Sequence, residues 1–286
     1  MVSRALGNLR RFLKPTEEVA HLGNKKAQVI AVTAQKGGVG KTTTAVHLAA
    51  GLAMFHKRRV LLLDMDAQGH VQKSLAKDMP EHIHDETMGS LLLKKNRDLY
   101  EIAAPTKIED LWVVPSDRSL NETETMLSTR IGKELMLRQN LSVARTHFDV
   151  ILIDCPPNLG NLTVNALVAS DQVLIPCDMS ILSLDGVSSI VETVATVQEM
   201  LNPSLGLLGL LRTRLDRRNI TMNRTIEETL REQYGDFLLE SVIGVSTAIA
   251  KAQLAGQSVF HFAPKNQGAK SYKKLSDEVS SLLSPQ

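Results

Sequence analysis

Between Thr33 and Gly51 the chain reads TAQKGGVGKTTTAVHLAAG. Gly37, Gly38 and Gly40 allow backbone N–H groups to curl around an anion, because glycine reaches positive φ without steric cost. Lys41 has the length to reach the outer phosphates of a nucleotide, and the Thr42 hydroxyl is placed to hold Mg²⁺. Val39 and Thr43 complete the expected nucleotide-binding stretch. The loop departs from the usual pattern at its start. Gln35 stands where the first glycine belongs, and an extra lysine, Lys36, follows it.

Two further segments supply acids. DVILIDCPP places Asp154 at the C-terminal edge of an apolar strand, where it can hold Mg²⁺ through water. LLLDMDAQG places Asp64 and Asp66 at another such edge, with Asp66 near or inside the following loop. Asp66 is placed to orient an attacking water and is a further candidate at the metal. The alternative is that Asp64 and Asp66 only cap a strand-to-helix turn.

A loop of this kind must be carried between a strand and a helix. Val29–Thr33 reads as the strand, and TTTAVHLAAGLAMF, rich in Ala and Leu, as a buried helix. Further strands are expected at Arg59–Asp64, Leu111–Pro115, Asp149–Asp154, Gln172–Pro176 and Leu205–Thr213, with helical patterns between them. Ser116 to about Arg145 reads as one long, mostly helical stretch, and Lys77–Leu111 as polar and irregular. Strands alternating with helices predict a single α/β domain, a doubly wound and mostly parallel sheet of the P-loop NTPase type.

Composition sets the outer bounds. In 286 residues, 43% are hydrophobic and 22% charged, an ordinary soluble balance. No apolar run is long enough to span a bilayer, and the N-terminus lacks a signal-peptide core, so a cytoplasmic protein is expected. The net charge is only +2, so any nucleic-acid contact must come from a local patch; aromatics at 3% argue against base stacking. Cys155 and Cys177 form no paired motif and read as buried apolar residues.

QKGGVGKTTT, LLLDMDAQG, DCPPNLGNLTVNAL and IPCDMSILSLDGVSSI, in that order, resemble the successive motifs of the ParA family of partitioning ATPases. That family belongs to the deviant Walker A group, which also includes MinD. The resemblance runs from about Val29 to the C-terminus and matches the short chromosomal type. It implies ATP and Mg²⁺ as cofactors and slow, partner-stimulated hydrolysis. It also implies an ATP-bound homodimer in which Lys36 crosses to the partner's phosphates, and a monomer with ADP. Asp66 resembles the switch I aspartate needed for hydrolysis and Asp154 the Walker B acid. The partners implied are non-specific double-stranded DNA and a ParB-like or other stimulating protein, which would make the chain nucleoid-associated.

For DNA, RTRLDRRNITMNR carries Arg212, Arg214, Arg217, Arg218 and Arg224, and Arg218 matches a DNA-contacting arginine of the family. Where the family has a Pro-Arg-Asn-x-Arg run, this chain has GVSTA, Gly244–Ala248, and both arginines are absent. Lys251 is nearby and can compensate. Residues 1–27 read as a basic amphipathic extension ahead of the ATPase domain, 28–286, and are a candidate for partner docking, membrane contact or added DNA charge; the alternative is that its apolar face folds against the domain. The C-terminal GAKSYKKLSDEVSSLL is amphipathic but poorly matched to an anionic membrane. A MinD-like, membrane-associated regulator anchored by the N-terminal helix is the alternative. The run EHIHDE, Glu81–Glu86, reads as a solvated loop.

Overall fold

The computed structural model describes residues 27–80, 86–94, 97–216 and 218–283. The N-terminal extension, Arg217 and most of the EHIHDE run lie outside these.

The described residues build one eight-stranded sheet in the order β3-β4-β2-β5-β1-β6-β7-β8. Its strands are β1 (Gln28–Val32), β2 (Val60–Asp64), β3 (Ala104–Pro105), β4 (Leu111–Val114), β5 (Val150–Asp154), β6 (Gln172–Asp178), β7 (Gly206–Leu215) and β8 (Leu238–Gly244). All neighbours pair in parallel except β3 with β4. The central strands are apolar throughout, as burial on both faces demands. In β1, Ile30 and Val32 enter one core and Val29 and Ala31 the other.

The principal helices are α1 (Lys41–His56), α2 (Ser119–Ser128), α3 (Asn161–Ala169), α4 (Ile181–Met200), α5 (Ile220–Tyr234), α6 (Thr247–Leu254) and α7 (Gln267–Leu282). Helix α1 is covered by α7, whose Tyr272, Leu275 and Val279 are buried. The two helices approach so closely that a Cβ on Gly51 would stand 2.8 Å from Cβ of Ser276. The Glu278 carboxylate accepts from the Glu240 and Ser241 N–H groups at 2.7 and 2.9 Å, which fastens α7 to the sheet's last strand. The C-terminal helix is therefore a packed element of the domain.

The long, mostly helical stretch expected from Ser116 is helical in separate pieces. After α2 the chain turns at Gly132, at φ +71°, and resumes as short helical pieces at Met136–Asn140 and Ala144–His147. Left-handed backbone cannot continue a right-handed helix. The polar stretch 77–111 contains a helical turn, Met88–Leu92, and the short β3. Strand β8 was not expected from the sequence.

Candidate nucleotide site

The register of the three central strands assembles the site. Val32 of β1 pairs with Asp154 of β5, and Asp154 pairs with Asp64 of β2, so the strand feeding the loop ends beside both acids. This is the carboxyl edge of the sheet at the point where strand order reverses, the usual location of ligands in open α/β folds.

Gly38 and Gly40 adopt φ +76° and +93°, and a Cβ on Gly37 or Gly40 would meet nothing within 4 Å. Val39 is buried beneath the loop. Helix α1 begins immediately after it with no side-chain cap and no acid in its first turn. Its free N–H groups and positive dipole end are thus directed at the loop, the arrangement that binds phosphate. Lys41 is nearly buried, and its Nζ donates to the Lys36 carbonyl at 3.2 Å. Burial lowers the ammonium pKa, while the carboxylates of Asp154 and Asp66 oppose that shift. Thr42 and Thr43 follow as half-buried hydroxyls.

Asp154 is fully buried, and neither of its carboxylate oxygens has a hydrogen-bond partner among the described residues. Burial pushes its pKa well above the carboxylate range and Asp64 adds to the shift; Thr42 and Lys41 oppose it. An unpartnered carboxylate is costly inside a protein unless a cation meets it. Thr42 and Asp154, with water, are a suitable oxygen set for Mg²⁺.

The neighbouring acids differ in their surroundings. Asp64 is buried and accepts from the N–H groups of Asp66 at 2.9 Å and Val71 at 3.1 Å; burial raises its pKa to about 7 against those donors. For Asp64 the capping alternative is the one observed: it organises the turn that carries Asp66. Asp66 lies beyond the strand, half-buried, and accepts from the Gln68 N–H at 3.0 Å. Ser116 donates to the Asp66 carbonyl. Gly69, at φ +59°, lets the same turn pass the Ser116 carbonyl, which a Cβ would approach to 2.9 Å.

Lys36 does not point into this loop. Its Nζ donates to Asp178 Oδ2 at 2.8 Å and to Ser180 Oγ at 2.9 Å, at the end of β6. The sequence offered no sign of this contact across 142 positions. Also missed were two supports from β7. Thr213 Oγ1 donates to the Val39 carbonyl and Arg214 Nη1 to the Gly38 carbonyl, both at 2.7 Å.

The described candidate DNA residues lie on the surface of the loop after β7 and of helices α5 and α6. Leu215 pairs with Gly244, so the loop bearing Arg218 and the GVSTA turn sit side by side. Arg218 is 87% exposed and forms a fork with Asp216, Nε to Oδ1 at 2.9 Å and Nη2 to Oδ2 at 2.6 Å. Arg224 is exposed and paired with Glu228, and Lys251 is exposed on α6. Arg212 does not belong to this surface: it is buried, paired with Glu227 and donating to the Leu239 carbonyl. Arg214, as noted, joins the nucleotide loop. The reason is positional, since both lie within β7 and not beyond it. Cys155 and Cys177 are free and buried. No described helix is long and apolar enough to cross a membrane.

The chain is similar to known proteins. Residues 27–207 match the AAA domain family model. The chain is 38% identical over 255 residues to the sporulation initiation inhibitor protein Soj of Bacillus subtilis, covering 88% of this chain and 98% of Soj. It is 35% identical over 254 residues to the chromosome partitioning protein ParA of Myxococcus xanthus, covering 88% and 87%. Among solved structures, cobyrinic acid a,c-diamide synthase from Mycobacterium smegmatis, with a bound ATP analog and magnesium, superposes with a TM-score of 0.73 at 33% identity. That match covers 88% of this chain and 93% of the synthase chain.

Proposed function

The chain belongs to the ParA family of partitioning ATPases, and from that premise we propose that it is an ATP-dependent dimerising switch that positions DNA or protein cargo by holding non-specific DNA. The observation that carries the nucleotide chemistry is Asp154, buried and unpartnered beside the mouth of α1. It supports a site for Mg²⁺ and ATP in which Gly37, Gly38, Val39, Gly40, Lys41, Thr42 and Thr43 line the phosphates. Bound Mg²⁺ would neutralise charge on the outer phosphates. Lys41 would add to that neutralisation, and burial makes its interaction with phosphate stronger than in water. Thr42 and Asp154 would hold the ion. Asp66, on a turn fixed by Asp64, would orient the attacking water and face the ion. We read the cycle as slow hydrolysis used as a timer.

Lys36 would act in trans. In an ATP dimer each protomer lends this lysine to the nucleotide of the other, so the γ-phosphate becomes part of the contact between copies, and its loss loosens the pair. A ParB-like or other partner would hasten that step. The dimer would contact duplex DNA through Arg217, Arg218, Arg224 and Lys251, by phosphate contacts and not by base reading.

DNA retention by the purified chain tests this reading. It is expected to require Mg²⁺ and ATP, to fall with salt, and to be lost in Arg218→Glu. Equal retention with ADP, or an unaffected Arg218→Glu, would remove DNA from the proposal.

A further inference from the structure

Lys36 is already engaged within its own protomer. Its ammonium meets the Asp178 carboxylate and the Ser180 hydroxyl, and these acceptors sit on a rigid support, the end of β6 and the residue preceding α4. We propose that Asp178 is the resting counter-ion of Lys36, and that the lysine must leave this carboxylate before it can serve the partner's nucleotide. This rests on the crossing-lysine reading above. Asp178 is then a positioning residue that acts through Lys36 and sets the threshold for dimerisation.

The surroundings of Asp178 suit an exchange. Its other oxygen, Oδ1, accepts from Ser180 Oγ at 2.7 Å and from Ser183 Oγ. When the lysine leaves, the carboxylate keeps both hydroxyls and so is not orphaned. Burial raises the Asp178 pKa, but the donors from Lys36, Ser183 and Ser180 outweigh it and keep the group ionised. The side chains of Lys36 and Asp178 are 34% and 17% exposed, so water can enter as they separate. Departure therefore costs a charge-assisted hydrogen bond without leaving a buried unpartnered group.

Competition explains why a particular ligand wins. A terminal phosphate carries more negative charge and more acceptor oxygens than one carboxylate. It can draw the ammonium away, whereas a nucleotide without that phosphate offers less. Asp178 thus sharpens the distinction between triphosphate and diphosphate: without it the lysine is free, and weaker anions recruit it.

The test is sedimentation of the full chain with Mg²⁺ and a non-hydrolysable ATP analogue across a protein dilution series, repeated with ADP. Asp178→Asn is expected to lower the dimer dissociation constant about tenfold, the scale of one charge-assisted hydrogen bond. Asp178→Glu, which restores the charge, is expected to lie nearer to wild type. Ser180→Ala removes the lysine's neutral acceptor together with one donor to Asp178, so Asp178→Ser, which is also uncharged, decides the matter if Asp178→Asn fails to fold. Lys36→Ala and Lys36→Ala/Asp178→Asn are expected to be equally monomeric. If Lys36→Ala dimerises like wild type, the crossing-lysine reading is wrong and the proposal falls with it. If Lys36→Ala is monomeric but Asp178→Asn or Asp178→Ser dimerises no more readily than wild type, the counter-ion proposal is overturned while the crossing lysine stands.

Discussion

His47 lies on α1, the helix that follows the phosphate loop, and shows how tightly that helix is held. Its Nε2 accepts the Val259 N–H at 3.2 Å, so Nδ1 carries the proton and donates to the Thr43 carbonyl at 2.8 Å. A second proton on Nε2 would face an N–H donor in a buried site. Burial pushes the imidazole down to about 4, with the Thr43 carbonyl in partial opposition. The unfolded chain takes up this proton near pH 6.5 and the folded chain only near 4. Between those values the unfolded state holds more protons, so stability is lost as the pH falls through that window. His47→Gln is expected to flatten the profile. Between pH 7.5 and 5 the wild-type melting temperature should drop about 4 °C further than that of the variant. Asp64, raised to about 7, has the opposite sign in part of this range, but it is present in both proteins and cancels in the comparison. Parallel melting curves would show that His47 is not buried as a neutral base.

At the scale of elements, the contact between α1 and α7 carries the phosphate loop. Gly51 has no room for a methyl group, because Ser276 Cβ would be 2.8 Å away and Phe260 3.5 Å. Gly51→Ala should gain about 1 kcal/mol of helix propensity yet lose more through overpacking, for a net destabilisation of about 1–2 kcal/mol in a urea melt. A stabilised variant would mean that the helices are not in contact here. This element was partly legible beforehand. Its apolar run and the glycine loop ahead of it announced a strand-loop-helix unit, and the strands β1, β2, β4, β5, β6 and β7 were readable as short apolar runs. Strand β8 was not, because Glu240 and Ser241 interrupt its pattern, as suits an edge strand fastened by Glu278. The mostly helical stretch expected after Ser116 is present in pieces, because α2 ends at Ser128 and the chain turns at Gly132. The proposed phosphate and metal residues Lys41, Thr42 and Asp154 could be named from spacing, because they stand in contiguous motifs. Asp178, Thr213 and Arg214 could not, since only the β6 and β7 crossovers bring them to the loop.

For the whole molecule, charge placement decides how the proposed dimer meets DNA. Arg218 is held by Asp216 and Arg224 by Glu228, and the adjoining GVSTA turn contributes no cation. Removing the internal competitor should therefore help. Asp216→Asn is expected to tighten ATP-dependent DNA binding and to steepen the log–log salt slope by about one unit per protomer; an unchanged slope would show that Arg218 does not contact phosphate. All of this presupposes that two copies join around ATP. The most direct measurement is analytical ultracentrifugation of Asp66→Ala, in which hydrolysis should be stalled, with saturating Mg²⁺ and ATP or ADP. A dimer with ATP and a monomer with ADP is the expected result; a monomer at saturating ATP would contradict the account.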